Sequence, residues 1–199
     1  VIIMRDFEKG SLEVVCGPMF SGKSEELIRR VKRVQISGKR FLLFKPAIDN
    51  RYDLNHVVSH DQRTFEAIIT GINSEALIEI EKLIEKEFPE VIAFEEGNFY
   101  DKQIVGHIIK WVSQGKRVIV AGLDTNFRGE PFGPMGDILA HADYVDKLKA
   151  ICMKCKNHEA VMTQRLVNGR PAKYSDPTIV VGGFDSYEAR CRNCHEISK

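Results

Sequence analysis

The sequence predicts an α/β protein in which a parallel sheet of the P-loop NTPase type carries helices on both faces. Several short segments are apolar without alternation, as strands are when both faces of their sheet are covered. The candidate strands are residues 12–15, 40–45, 91–94 and 117–122. Segments with apolar residues at helical spacing lie between them. The candidate helices are residues 24–37, 73–87 and 101–114. Strands that alternate with helices in this way are typical of a parallel sheet.

Local signals bound these elements. Gly38 closes the first predicted helix, and Pro46 stops the second predicted strand. Ser74 is the candidate N-cap of the second helix. In the third helix, Ile104 and Trp111 lie on one side and are expected to face the sheet.

The composition changes near residue 150. From Cys152 onward the chain is rich in Cys, Gly, Pro and Asn and has only short apolar runs. We therefore predict an ATP-binding α/β domain over residues 1–149 and a small second domain over residues 150–199.

Composition and charge exclude several classes of protein. Hydrophobic residues make up 43% of the 199 residues, which is enough for a core and too many for a disordered chain. The net charge of +1 argues against nucleic acid or an acidic membrane as the main partner. No apolar run approaches the roughly 20 residues that cross a bilayer. The opening VIIMRDFEKG is too short and too acidic for a signal peptide, so we expect a cytoplasmic protein.

The segment GPMFSGKS matches the phosphate-loop pattern G-x-x-x-x-G-K-[ST] between a predicted strand and a predicted helix. Glycines let backbone N–H groups surround phosphate oxygens, and the helix N-terminus adds a partial positive charge. Lys23 is expected to bridge the β- and γ-phosphates, and Ser24 to bind Mg²⁺. The predicted phosphate-binding residues here are Gly17, Pro18, Met19, Phe20, Ser21, Gly22, Lys23 and Ser24.

Two carboxylates, Glu95 and Glu96, follow the predicted strand at residues 91–94. Carboxylates at a buried strand end are costly unless they serve a cation or a proton transfer. One is expected to face Mg²⁺, and the other to accept a proton from an attacking hydroxyl group or water.

Four of the five cysteines form two C-x-x-C pairs, which are Cys152 with Cys155 and Cys191 with Cys194. Two such pairs can close a tetrahedral zinc site with no open position, which favours a structural role. A redox role for either pair is the alternative. His195 directly follows one of the cysteines and could compete as a ligand.

The order of these motifs resembles the thymidine kinases found in bacteria and in the cytosol of animal cells. The resemblance covers about residues 12–196. It rests on the segments GPMFSGKS, DNRY, EEGNF, GLDTNFRGEPFGPM, CMKC, TQRL and VVGGFDSYEARCRNC. It implies transfer of the γ-phosphate of ATP to the 5′-hydroxyl of thymidine, and more weakly of deoxyuridine, in deoxynucleotide salvage and DNA precursor synthesis.

The resemblance also implies residue roles. Glu96 matches the general base, and Glu95 an aspartate that helps to hold Mg²⁺ with Ser24. Asp49, Arg51 and Arg165 match residues near the phosphates. A loop over about residues 172–187, shaped by structural zinc, would close over the base. The implied nucleoside contacts are Met19, Phe99, Leu123, Phe127, Phe132, Thr163, Val180, Val181, Gly182 and Tyr187.

Two positions depart from the family pattern, because Glu95 stands where aspartate is usual and Asn98 where glutamine is usual. Glutamate is one methylene longer than aspartate, so we expect either that Glu95 binds Mg²⁺ directly or that the loop shifts. The resemblance further implies a homotetramer that is inhibited by dTTP.

Other functions remain open at this point. A P-loop ATPase or GTPase switch is one, although the sequence has no N-K-x-D motif for reading guanine. A P-loop ATPase with a zinc-ribbon module that binds nucleic acid is another, and it would need a basic face with exposed aromatic residues. A third is a structural protein that binds ATP without chemistry.

Overall fold

The computed structural model describes residues 10–47, 56–58, 64–179 and 185–199. Its first part contains both strands and helices. These elements are β1 (Ser11–Cys16), α1 (Lys23–Ile36), β2 (Phe41–Pro46), β3 (His56–Val58), β4 (Thr64–Glu66), β5 (Ile68–Thr70), α2 (Ser74–Glu87), β6 (Val91–Phe94), a 3₁₀ turn (Gly97–Phe99), α3 (Ile104–Ser113), β7 (Arg117–Gly122), α4 (Met135–His141) and β8 (Tyr144–Lys147).

The last part of the chain has short strands. They are β9 (Ala150–Ile151), β10 (Glu159–Ala160), β11 (Met162–Val167), β12 (Arg170–Pro171) and β13 (Asp185–Arg190). β9 pairs with β10, and β11 lies between β12 and β13, all antiparallel.

A six-stranded sheet forms the centre of the molecule, in the order β5-β2-β6-β7-β1-β8. Every neighbouring pair is parallel, so all six carboxyl ends lie at one edge. β7 separates β1 from β6. The loop after β1 and the acidic pair after β6 therefore lie at the same edge, two strands apart.

Helices cover both faces of this sheet, which confirms the predicted fold class. Val15 and Ile119 face α1 on one side, whereas Val14 and Val120 face α2, α3 and α4 on the other. The second face contains an aromatic stack in which the ring of Phe94 lies between other rings. Its neighbours are Phe44 at 5.2 Å, Trp111 at 5.8 Å and Tyr100, edge-on, at 5.5 Å.

Two details of the predicted elements were wrong. Asn73, not Ser74, caps α2, because its extended backbone lets its side-chain oxygen accept a hydrogen bond from the N–H of Ala76 at 3.0 Å. The third helix begins at Ile104 rather than at residue 101, since Asp101 opens a turn by accepting the N–H of Gln103 at 2.8 Å.

A buried ion-pair network fixes α1 to the sheet. Arg30 of α1 donates to Glu13 of β1 and to Glu26 of its own helix, both at 2.8 Å, and it also binds Asp146 of β8. Arg117 of β7 donates to the same Glu13 at 2.6 Å. Because each buried charge has a partner, the network avoids the cost of an isolated one.

The C-terminal part has only a small apolar core. Its cluster of buried residues is Cys152, Ala160, Ala189 and Cys191. The last strand of the parallel sheet ends at Lys147, before the first short strand at Ala150. The domain boundary at residue 149 stays a prediction. No helix in the described part of the chain combines the length and apolarity that crossing a bilayer requires.

Candidate active site

The phosphate loop runs from the end of β1 to the start of α1. Gly17 has φ 141°, and a Cβ there would lie 2.3 Å from the carbonyl oxygen of Leu148, so only glycine fits. Gly22, with φ 83°, precedes the helix, and its carbonyl accepts the N–H of Glu26 at 3.0 Å. The N-terminus of α1 therefore begins at this edge of the sheet, where its partial positive charge favours an anion.

Lys23 folds back across the loop. Its ammonium donates to the carbonyl of Pro18 at 2.6 Å, and the Ser21 hydroxyl donates to the same oxygen at 2.8 Å. Burial lowers the pKa of Lys23 to about 8, although the carboxylates of Asp124 and Glu96 favour the protonated form. The loop thus holds a cation that is poorly solvated and close to where phosphates would bind.

Glu95 lies beside the loop. It is 6% exposed, and its Oε1 accepts the Ser24 hydroxyl at 2.7 Å. Its Oε2 finds no hydrogen-bond partner among the described residues, and the ammonium of Lys45 lies 3.8 Å away. Burial raises the pKa of Glu95, against the effects of Lys45 and the Ser24 hydrogen bond. An incompletely satisfied carboxylate next to a hydroxyl fits Mg²⁺, which prefers oxygen ligands.

Glu96 follows with a left-handed backbone at φ 49°. Such a conformation costs of order 1–3 kcal/mol in a residue with a side chain, and it commonly occurs at functional sites. The next residue, Gly97, cannot carry a side chain, because a Cβ would lie 2.4 Å from Val120 of β7. The turn therefore sets the direction of Glu96, whose half-buried carboxylate acts electrostatically on Lys23.

Sequence reasoning assigned no role to Asp124. This residue is 4% exposed just beyond β7, and its Oδ2 lies 2.8 Å from the ammonium of Lys147. Asp124 is the carboxylate that most strongly favours the charged form of Lys23. Its position shortly after a buried strand is the feature of the sequence that could have identified Asp124 as a site residue.

Asn98, also without a predicted role, holds two loops together. Its side-chain oxygen accepts the N–H of Leu123 at 2.9 Å, and it is almost fully buried. This bond joins the turn after β6 to the loop after β7.

The loop after β7, residues 123–134, contributes aromatic side chains to one side of the site, and we call it the aromatic loop. Phe127 and Phe132 are buried, and the rings of Phe132 and Phe99 meet edge to face at 5.4 Å. Three of the predicted nucleoside contacts therefore have their rings in or beside this loop.

The C-terminal part reaches the phosphate loop through β11. The hydroxyl of Thr163 accepts the N–H of Met19 at 3.1 Å, which brings two predicted nucleoside contacts together. Arg165 is 4% exposed, and its guanidinium donates to the carbonyl of Pro177 and lies over the ring of Phe127. Tyr187 of β13 pairs with Arg165 across the two strands. The predicted residues Asp49, Arg51, Val180, Val181 and Gly182 lie outside the described residues.

A family model for thymidine kinase matches residues 10–195. The chain belongs to the thymidine kinase family. The resemblance read from the sequence is thereby confirmed over most of the chain. Membership makes the protein a nucleotide-binding phosphotransferase.

The four paired cysteines of this thymidine kinase family member come together. Their sulfur atoms all lie within 4.8 Å of one another, and those of Cys155 and Cys191 are 4.0 Å apart. Four sulfurs about 2.3 Å from one zinc ion lie roughly 3.8 Å apart at the corners of a tetrahedron. The cluster could therefore bind a metal ion such as zinc.

His195 does not join this cluster. Its Nε2 lies 2.7 Å from the carbonyl oxygen of Phe127, so the residue after Cys194 contacts the aromatic loop instead. The fifth cysteine, Cys16, is buried at the end of β1, and burial raises its pKa to about 11, so it is a thiol near neutral pH.

Proposed function

We propose that this protein transfers the γ-phosphate of ATP to the 5′-hydroxyl of thymidine, giving dTMP and ADP, and acts more weakly on deoxyuridine. The observation that carries the proposal is the position of Glu96 at the same sheet edge as Lys23 and the Ser24–Glu95 pair. In a hydrolase the acceptor beside Glu96 would be water alone, which needs no further pocket. The adjoining aromatic loop instead suits the planar base of a nucleoside acceptor. The reaction belongs to deoxynucleotide salvage and DNA precursor synthesis.

The phosphate loop would bind the triphosphate of ATP. Backbone N–H groups at the start of α1 would bind phosphate oxygens, and Lys23 would leave the Pro18 carbonyl for the β- and γ-phosphates. Arg165, with Asp49 and Arg51, would complete this end. Positive charge placed around the transferring group stabilises its transition state.

Glu96 would act as the general base. Its carboxylate would take the proton from the 5′-hydroxyl as that oxygen attacks the γ-phosphorus, and the bond between γ-phosphorus and the β–γ bridging oxygen would break. ADP leaves with the electron pair of that bond.

Two metals are implied. Ser24 and Glu95 would hold Mg²⁺ with ATP, and this ion neutralises phosphate charge when bound. Cys152, Cys155, Cys191 and Cys194 would hold structural zinc, which compensates for the small core of the C-terminal part.

The nucleoside would lie against the aromatic loop. Its base would contact Phe99, Leu123, Phe127 and Phe132, with Met19 and Thr163 on the phosphate side. The residues 180–182 and Tyr187, which belong to the C-terminal part, would complete the pocket.

We further propose a cytoplasmic homotetramer that dTTP inhibits, and two domains that meet near residue 149. Light scattering at micromolar concentration tests the tetramer, and a monomer would contradict it.

The deciding experiment is a phosphoryl-transfer assay with ATP, Mg²⁺ and each common deoxynucleoside in turn. We expect dTMP from thymidine and little product from deoxycytidine or the purine nucleosides. ATP binding without phosphorylation of any nucleoside would contradict the proposal. ATP hydrolysis that nucleic acid stimulates would instead favour an ATPase with a nucleic-acid-binding module.

A further inference from the structure

Two arginines hold consecutive carbonyl groups in the segment at residues 173–179. Arg128, from the loop after β7, donates through its NH2 group to the carbonyl of Asp176 at 2.8 Å. Arg165, from β11, donates to the carbonyl of Pro177. The segment belongs to the stretch that the resemblance associates with the base, so its placement matters for the nucleoside.

Both guanidinium groups also contact the ring of Phe127. The central carbon of Arg128 lies 5.4 Å from the ring centroid, and that of Arg165 lies 5.5 Å from it. Since Phe127 is almost fully buried, these contacts are shielded from water and are worth more than exposed ones.

Arg128 has a second aromatic contact within the held segment itself. Its guanidinium lies 4.8 Å from the centroid of the Tyr174 ring. The Tyr174 hydroxyl donates to Glu130, and Glu130 lies 3.6 Å from the guanidinium of Arg128. One side chain of the aromatic loop thus contacts the segment through a ring, a carbonyl and a shared carboxylate.

The backbone of the segment makes hydrogen bonds within the segment and to Ser198. The N–H of Lys173 donates to the Asp176 carboxylate at 2.8 Å, and the N–H of Tyr174 donates to the carbonyl of Ser198 at 3.1 Å. The N–H of Asp176 donates to the carbonyl of Lys173 at 3.0 Å. These amides can report directly on whether the segment keeps its position.

We propose that Arg128 is a positioning residue for the nucleoside: it fixes residues 173–179 against Phe127 and thereby sets the affinity for thymidine without affecting ATP. This inference rests on the proposed function. It assigns Arg128 no contact with the reacting atoms. A planar guanidinium can stack on two rings while it donates to a carbonyl, whereas a lysine ammonium cannot do both.

The test compares Arg128→Met and Arg128→Lys with Arg170→Met, which makes the same change at an exposed arginine of β12. For Arg128→Met we expect the KM for thymidine to rise about tenfold or more, because a charge-assisted hydrogen bond and two ring contacts are lost. The KM for ATP should stay within about twofold of that of the unaltered protein, the lysine variant should be intermediate, and the Arg170 variant should behave as the unaltered protein.

Hydrogen exchange supplies a readout that needs no substrate. In Arg128→Met, the amides of Lys173, Tyr174 and Asp176 should exchange faster, while those of α1 should not. Unchanged exchange, an unchanged KM for thymidine, or equal rises in both KM values would each overturn the inference. If the unaltered protein phosphorylated no nucleoside, the proposed function would fail, and the exchange data would still decide whether Arg128 holds the segment.

Discussion

The phosphate side and the nucleoside side of the candidate site are held in place by different means. The phosphate loop and Glu95 extend from strands of a parallel sheet that two apolar clusters cover. The C-terminal part, by contrast, has a four-residue core that includes Cys152 and Cys191. Apolar burial stabilises the first region, whereas the second depends on a cysteine cluster and a few polar contacts. The two sides should therefore respond separately to perturbation.

Removal of the metal should have the largest effect and should be confined to one side. We expect about one zinc ion per chain, and chelation should unfold the C-terminal part, because binding of a structural zinc supplies folding free energy. Thymidine binding should be lost and ATP binding retained. Elemental analysis, calorimetry with each ligand and hydrogen exchange measure these effects.

Cys16→Ala is the matched control for this prediction, since Cys16 lies in β1 and outside the cluster. It should keep its zinc, whereas Cys155→Ala should lose it. If protein purified without any chelator contained no zinc, that result would contradict the structural-zinc proposal. Equal loss of both ligands on chelation would remove the distinction between the two sides.

Substitution of Glu96 should remove the chemistry without removing either substrate. Glu96→Gln should lower kcat by about 10²- to 10⁴-fold, because the amide cannot accept the proton of the 5′-hydroxyl. ATP affinity should change little, as measured by calorimetry. Glu79→Gln, at an exposed position of α2, is the control and should leave kcat unchanged. Turnover near normal in Glu96→Gln would exclude Glu96 as the base.

A smaller effect should follow from pH and should concern the phosphate side. The pKa of Lys23 is lowered to about 8, so its positive charge is present below that pH and is lost above it. We expect kcat/KM for ATP to fall with an apparent pKa near 8, by about tenfold for each further pH unit once the lysine is neutral.

Lys23→Arg sharpens this test, since arginine stays protonated throughout the accessible range. The alkaline fall should disappear in that variant, even if its overall rate is lower. The same fall in both proteins would assign the titration to another group.

The sequence predicted the parts of this molecule that depend on local pattern. The phosphate loop, the acidic pair after β6 and the paired cysteines each carry their chemistry within a few consecutive residues. Four of the six strands of the central sheet and helices α1, α2 and α3 followed from apolar spacing, with ends that shift by one residue except at the start of α3. The edge strands β5 and β8 and the helix α4 were not predicted. The phosphate loop, the acidic pair and each C-x-x-C pair lie in contiguous sequence, where residue type and spacing are sufficient. The two C-x-x-C pairs are 36 positions apart at their nearest, and their joint site was predicted from the four ligands that zinc takes.

Contacts between distant segments were beyond such reasoning. The pairing of Asp124 with Lys147 depends on how β7, β1 and β8 are ordered, which apolar spacing leaves open. The contacts of Arg128 with Tyr174 and Asp176 join residues more than 40 positions apart. The bond of His195 to Phe127 likewise needed the fold, and the sequence only suggested a metal role for that histidine.

The order of the strands fixes the distance between the two strand ends that carry the phosphate loop and the acidic pair. Because β7 lies between β1 and β6, the backbones of the phosphate loop and the acidic pair are separated by two strand spacings, or about 10 Å. Backbone hydrogen bonds fix that span, so only side-chain length can adjust what crosses it. An aspartate at position 95 would end about 1.5 Å shorter than Glu95, which reaches the Ser24 hydroxyl directly. The extra methylene therefore lets Glu95 contact the Ser24 hydroxyl directly, where the shorter aspartate side chain would not reach it.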